Sequence, residues 1–523
     1  MEQYTTPKTD VNEIEILHDF YTYQLAKEND KKELKLTISK PNFIRLLKRL
    51  NFCKYYINGQ TASYIYIKNN RAVPVSDDII FSELTAYIKN LPDRKITVNL
   101  DKETVIDFTI TPERIIDALI NNSGNLSNKV TFYFLNFISN LEFQCDLLDT
   151  KFFYFNNCVV KLHKGSEITT LDYSDLSKKV WENNIINRDF TYSKRKGDFE
   201  QFFEKITGYD SERKKSLMSM MGYLLHNYFN YDLFAIYLTD VNADFTERAG
   251  GTGKGILYKA LREMLNRDIQ KNRIFVRIDG DSFDKKNERR YSDVDVDTQV
   301  VCIDDIKKNS RPDTFITDIT EGVSVRKMYA DSFYQNVKFL ITTNFAPDFN
   351  NASDRRRAKI FELSNYYSDK LRPSDEFKKW FFGVDWDSAE WNEFYSFMIN
   401  CSNEYIQKGV TEASDINFSE RSIFDNTCDD FVFWINAQIA DVSTSATEKM
   451  FVKDDFYRNY MEKYSDTLNV YKKPKNKFFE WVRVYCRKKA FPYSEFRSTD
   501  DEFYFFPTSD TMKKCLEQRN KKC

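Results

Sequence analysis

The eight residues Arg248-Ala249-Gly250-Gly251-Thr252-Gly253-Lys254-Gly255 constrain this chain more than any other stretch. They follow an apolar, strand-like run, Leu233 to Leu238, and lead into a stretch with Leu257, Leu261, Met264 and Leu265 at helical spacing. Strand, glycine-rich turn and a helix opening on Lys is the order of a phosphate-binding loop, G-x-x-x-x-G-K-[ST]. The glycines let backbone N–H groups close around phosphate oxygens, the helix N-terminus adds its dipole, and Lys254 is placed to reach the terminal phosphates. Two positions depart from the pattern. Arg248 stands at the first Gly, and Gly255 stands where a Ser or Thr normally meets magnesium. Only 14 glycines occur in 523 residues, yet four of them fall between 250 and 255. A solvated turn, the plainer alternative, needs neither the Lys nor a following helix.

Composition limits what surrounds this loop. A chain of 523 residues accommodates about three domains of roughly 150 residues each. Lys plus Arg (77) nearly cancels Asp plus Glu (79), so only local charge can speak for nucleic acid. The nine Cys form no C-x-x-C pair and only three His are present, which argues against a zinc site. The first twenty residues are polar and acidic, unlike a signal peptide, and no apolar run approaches the length of a membrane span. The expectation is a reducing, cytoplasmic setting without a membrane.

Pattern divides the chain into an α+β accessory domain (1–110), a mostly helical segment (111–198), an α/β domain with a parallel sheet (199–410), and a connector with a basic C-terminal domain (411–523). In the first, Phe43, Leu46, Leu47 and Leu50 share a helical face, 63–67 is strand-like and 79–91 helical. Arg45, Lys48, Arg49 and Lys54 read as a solvated face or a DNA contact. The run Phe152 to Phe155 reads as a buried strand, with a base-stacking platform as the alternative. From 232 to 365 strand and helix patterns alternate, the signature of crossover connections. The tail from 446 has 18 basic against 12 acidic residues, and helices near 453–464 and 476–489 precede a hairpin ending at Phe506. That order, with Lys475 and Lys477 in its basic cluster, suggests a winged-helix DNA-binding module or a basic surface on a helical cap.

Three more segments follow the loop at spacings that chemistry can use. Val300-Val301-Cys302-Ile303 is a continuous apolar run of the kind found in buried parallel strands, and it ends on Asp304 and Asp305. Carboxylates at that end of a strand lie where open α/β sheets bind ligands, although a paired Asp can also cap a helix. Asp304 would hold magnesium and Asp305 would polarise an attacking water. Phe339-Leu340-Ile341 is a second such strand, and Asn344 beyond it could orient that water. Asp354-Arg355-Arg356-Arg357 offers cations for a transition-state contact from a neighbouring subunit. Cradle, metal carboxylate, water positioner and cationic finger are the parts phosphoryl transfer needs. Between the second and third lies a hairpin-like stretch with Arg326 and Lys327 near its tip, suited to gripping nucleic-acid phosphates in a ring channel or simply solvated.

In order and spacing these segments resemble superfamily 3 helicases, and more narrowly the helicase domain of phage and mobile-element primase-helicases related to the poxvirus-type enzymes. The resemblance covers about 200–410, including Phe361 to Tyr367 and Phe382 to Trp386. It implies an α/β, AAA+-like P-loop core and a hexameric, ATP- and Mg2+-dependent DNA helicase for replicating a phage, plasmid or mobile element in a bacterial cytoplasm. Gly250, Gly251, Thr252, Gly253, Lys254 and Gly255 carry over as the nucleotide loop and Asp304 as the magnesium carboxylate. Asp305 carries over as the catalytic acid, Asn344 as the sensor, Arg355 or Arg356 as the finger, and Arg326 with Lys327 as the DNA-contacting cations. Members of this subgroup often share G-K-G, which makes Gly255 a subgroup feature. Residues 1–190 hold no D-x-D with a partner His, so primase activity is not expected and a separate primase or polymerase is a natural partner. Two other readings are an origin-binding initiator that melts DNA locally and a non-catalytic ATP-binding ring.

Overall fold

In the computed structural model the described residues are 18–28, 31–57, 61–99, 105–126, 133–138, 141–230, 232–241, 251–265, 274–307, 315–328, 331–346, 355–443, 448–464, 475–491, 493–498 and 501–507. The chain forms two compact units, Met1–Cys145 with Tyr154–Val160 and Thr170–Asp189, and Asp146–Phe153 with Lys161–Thr169 and Phe190–Cys523.

The first unit carries a five-stranded sheet whose central strands are Phe52–Ile57, Thr61–Lys68 and Arg71–Pro74, and two hairpins, Thr22–Glu28 with Lys31–Thr37 and Arg94–Asn99 with Val105–Ile110. Helices Lys40–Arg49 and Asp77–Lys89 stand where periodicity places them, each begun by a serine cap, Ser39 and Ser76. Phe43, Leu46 and Leu47 go into its core with Phe20, Ile80, Leu84 and Ile115.

The stretch 111–198 is not mostly helical. Pro112–Leu126 is its one long helix among the described residues, and the rest is irregular backbone with short strands and 3-10 turns. Phe152 to Phe155 lies in a fully buried strand, Thr150–Phe155, followed by Val159–His163. Continuous apolar runs fill both faces of a strand and carry no 3.6-residue period, so the helical expectation has no physical support there.

The second unit is built on a five-stranded parallel sheet. Helices α1 (Asp198–Ile206) and α2 (Ser211–Leu225) precede strand β1 (Ala235–Asp240), and α3 (Lys254–Leu265) follows it. Strands β2 (Phe275–Asp279), β3 (Val300–Asp304), β4 (Lys338–Thr342) and β5 (Ala358–Leu363) complete a sheet of spatial order β2-β3-β4-β1-β5, with every neighbouring pair parallel. β1 leads away towards β2, whereas its neighbour β4 leads the other way to β5. The loops leaving these two strands therefore diverge, and an open α/β sheet binds ligands in the crevice such a switch leaves beyond its strand ends. Helix α4 (Ser388–Lys408) packs along α2, where Gly222 lets the α2 backbone come so close to Cys401 that a Cβ would collide with its carbonyl.

Where β4 begins, at the other end of the sheet, buried charge is tied down. Lys338 donates to the carbonyls of Tyr223 (2.9 Å) and His226 (2.6 Å) and lies over the Tyr223 ring. Asp146 accepts from Lys151 Nζ (2.9 Å), Phe152 N (3.0 Å) and Asn227 N (2.7 Å). His226 Nε2 bonds the Leu147 carbonyl at 2.8 Å. Burial pulls the Lys338 ammonium down to about 7 and the His226 imidazole down to about 4.

Residues 411–445, read as a connector, hold two helices, α5 (Phe418–Asn426) and α6 (Asp429–Ser443). Beyond them come the two expected helices, Lys453–Lys463 and Lys475–Lys488, and the expected hairpin, Ser494–Ser498 with Asp501–Phe506. An unforeseen strand, Lys449–Val452, pairs with the hairpin's second strand. Aromatic side chains fill this core, among them Trp434, Phe456, Tyr460, Phe478, Trp481 and Tyr504. Among the described residues no helix is long and apolar enough to cross a membrane.

Candidate functional site

The glycine loop enters its helix as the spacing implies: α3 starts at Lys254. Gly251 (φ +93°) and Gly253 (φ +114°) occupy backbone conformations that L side chains rarely adopt. Gly253 also has no room for a side chain, since a Cβ would sit 2.7 Å from Phe202 Cζ of α1. Gly255 differs. A Cβ there would meet only Tyr258, at an ordinary 3.8 Å, so space for a Ser exists and sterics do not explain the glycine. Gly250 and Arg248 lie outside the described residues.

Three strand ends converge on Lys254. Its ammonium donates to the Asp240 carboxylate at the end of β1 and, at 2.6 Å, to Oδ1 of Asn344 just past β4. Asn344 Nδ2 in turn donates to Asp305 Oδ1 at 3.1 Å. Asp240 also accepts from the Thr252 hydroxyl and is almost wholly buried. Asp304 ends β3 and accepts from Thr342 Oγ1 (2.7 Å) and from Arg277 of β2 (Nε at 2.9 Å), an ion pair that pushes the Arg277 pKa up. An ionised carboxylate has about four acceptor positions; Arg277 places Nε and, at 2.7 Å, Nη2 on Oδ2, so the capacity left for a further ligand is on Oδ1. The chain turns sharply after β3: Asp305 is left-handed (φ +60°), and its N–H is held by Thr342 Oγ1 at 2.8 Å. A shared threonine thus fixes the two neighbouring carboxylates in different directions.

Of these residues, Lys254, Asp304, Asp305, Thr342 and Asn344 line one cavity of about 520 Å³. One wall is polar: Gly251 to Gly255, Asp304, Asp305 and Asn344. The facing wall comes from 372–382 and includes Trp380, which is 73% exposed, with Phe381 and Phe382. That wall rests on an aromatic layer in which Phe199 meets Phe382 and Phe394, and Phe202 meets Phe381 and stacks on Tyr367. Positive-φ glycines, a helix N-terminus carrying Lys and two neighbouring carboxylates on the cavity wall suit a phosphorylated ligand and a hard divalent cation.

Asp240 is the residue that sequence reasoning missed. It ends the same run as Leu238, and a strand-end carboxylate before a glycine loop is the signal that could have found it. Arg355 and Arg356 lie away from the cavity. Both are exposed just before β5, and the neighbouring Arg357 carbonyl accepts from Ala235, the first residue of β1, so they stand at the opposite end of the sheet. Asp354 lies outside the described residues. The expected hairpin exists, Val323–Val325 against Phe333–Gln335, but its cations are engaged: Arg326 pairs with Glu288 and Lys327 with Asp295 at 3.4 Å. Lys475 pairs with Asp454 (2.5 Å) and Lys477 with Glu480 (2.8 Å), so the basic tail is partly neutralised locally.

No family model matches the chain, and no curated protein matches it. Among solved structures, the apo C-terminal region of NrS-1 (305–718) aligns over 89% of this chain and 98% of that one, at 9% identity and a TM-score of 0.37. A second apo form of that region gives 9% identity and a TM-score of 0.35, over 89% of this chain and 99% of that one. Likeness at this level carries neither fold nor activity across. The chain's own geometry defines a mixed α/β protein with a parallel sheet and a polar cavity at its strand ends.

Proposed function

We propose that the chain is an ATP-driven DNA translocase of helicase type. The observation that carries this reading is the convergence of three separate segments, at 251–255, 304–305 and 344, on a single cavity at the carboxyl ends of parallel strands, with the buried Asp240 holding Lys254 there. The loop N–H groups and Lys254 would take the triphosphate, Lys254 leaving Asp240 to do so. Asp305 and Asn344, already hydrogen-bonded to each other, would fix a water beside the terminal phosphate, and Asp305 would accept its proton. Magnesium, when bound, would neutralise phosphate charge, with Asp304 as its protein ligand and waters in place of the hydroxyl that Gly255 lacks. Arg355 and Arg356 are at the wrong end of the sheet to serve their own cavity. This favours a head-to-tail ring, a hexamer by family resemblance, in which one subunit's arginines complete the next subunit's site. DNA would run past the Arg326–Lys327 hairpin.

The test is hydrolysis by the purified full chain, with and without single-stranded and forked DNA. ATP turnover stimulated by DNA, together with fork unwinding, both lost in Lys254→Ala, is the expected result. No turnover with any DNA overturns the proposal.

A further inference from the structure

Behind the cavity, α5 is fastened to both strand ends that hold Lys254. Arg421 Nη2 donates to Thr239 Oγ1 at 2.8 Å, next to Asp240, and that hydroxyl donates to the Phe345 carbonyl at 3.1 Å. Asp425 accepts from Ala346 N at 2.7 Å, and Asn426 Nδ2 donates to the Ala346 carbonyl at 3.2 Å, two residues past Asn344. The same helix sends Ile423 into the C-terminal aromatic core. Arg421 is 2% exposed, yet its Nε and Nη1 have no hydrogen-bond partner. Burial lowers its pKa, while the carboxylates of Glu362, Asp425, Asp240 and Asp415 oppose that loss.

A buried guanidinium with two idle donors, bonded to the strand residue next to a buried carboxylate, needs explaining, because each unmade bond is costly. Asp240 keeps the Thr252 hydroxyl as a partner, but its cationic partner is present only while Lys254 stays home. Once Lys254 leaves for an anion, a buried carboxylate loses its countercharge, which is strongly unfavourable unless another cation answers it. We infer that Arg421 is a positioning residue that takes over the charge of Asp240 when Lys254 moves to a phosphate, so that α5 sets how readily the loop lysine is released. This rests on the nucleotide reading of the cavity and adds to it a control exerted from the C-terminal side.

The experiment is binding of a fluorescent ATP analogue to the full chain and to Arg421→Met, Asp240→Asn, the double variant and Thr239→Val, with thermal unfolding of each. Arg421→Met should weaken binding about tenfold, whereas in the Asp240→Asn background the same change should cost less than about threefold, since no charge is left to answer. Thr239→Val, which frees Arg421 with little change of volume, should weaken binding about threefold. A merely structural role would lower the melting temperature but leave no such rescue. Arg421→Met binding like wild type, or weakening equally in both backgrounds, overturns the inference. Should Arg421→Met fail to fold, wild-type affinity in Thr239→Val overturns it. A wild-type chain that binds no nucleotide removes the cavity reading itself, whereas wild-type binding without the coupling removes only the role of Arg421.

Discussion

The parallel sheet carries a lysine at each end, Lys338 buried and Lys254 half-buried, and the two are handled in opposite ways. Lys338, at the start of β4, is gripped by two backbone carbonyls and a tyrosine ring, in surroundings that pull its pKa to about 7. Lys254, at the start of α3, is held by side chains alone, Asp240 and Asn344, beside a cavity of about 520 Å³. Carbonyl partners are fixed by the backbone and cannot be traded. Side-chain partners can be exchanged for a ligand at modest cost. The first arrangement secures the fold, and the second leaves the fold secure while a charge changes hands.

If that contrast is right, activity and stability separate under mutation. The largest effect is expected from Lys254→Ala, which should cut ATP hydrolysis about a thousandfold, roughly 4 kcal/mol in transition-state terms, while Lys254→Ala combined with Asp240→Asn, which strands no buried carboxylate, shifts chemical unfolding by no more than about 1 kcal/mol. Comparable loss in both measurements would erase the distinction between the two ends. Asp146→Ala should do the reverse. It strands Lys151, only 7% exposed, and the amide of Asn227, and should lower unfolding free energy by about 3 kcal/mol with turnover per folded molecule unchanged.

His226 sharpens the comparison through pH. Its folded-state pKa is lowered to about 4 from 6.5, so between these values the unfolded chain binds the proton first. Stability should therefore fall as pH drops from about 6.5 towards 4, by about 3 kcal/mol in all, and His226→Gln should flatten that part of the unfolding–pH curve. The smallest effect is expected at Gly255. A Ser fits there, so Gly255→Ser should change stability by less than about 1 kcal/mol. Magnesium dependence of hydrolysis should stay as in wild type, and a large drop in the magnesium requirement would show that the glycine had left a real gap.

The glycine loop, the Asp304–Asp305 strand end and Asn344 were legible because each joins an apolar run, which fixes a strand, to a polar residue whose chemistry has few other uses at that place. Asp240 was not legible as a partner, since nothing local tells which cation a strand-end carboxylate will meet. Arg421 was hidden more deeply. Mixed composition at 411–445 read as a connector, yet α5 acquires its meaning only by lying against Thr239 and Ala346, whose partners on the helix are 182 and 79 residues away in sequence. Phe152 to Phe155 was legible as a strand, but the reading of 111–198 as mostly helical failed because, beyond Pro112–Leu126, its described residues form short strands, 3-10 turns and irregular backbone whose brevity leaves no period to read.

Trp380 offers a practical consequence. Of the six tryptophans, Trp386, Trp391, Trp434 and Trp481 are buried and Trp181 is half-buried, whereas Trp380 faces solvent on the cavity's aromatic wall. Its emission belongs at the red edge of the intrinsic spectrum, apart from that of its enclosed counterparts. A molecule seated against that wall would change this one indole's surroundings, so the native protein carries its own optical reporter of occupancy and needs no attached dye.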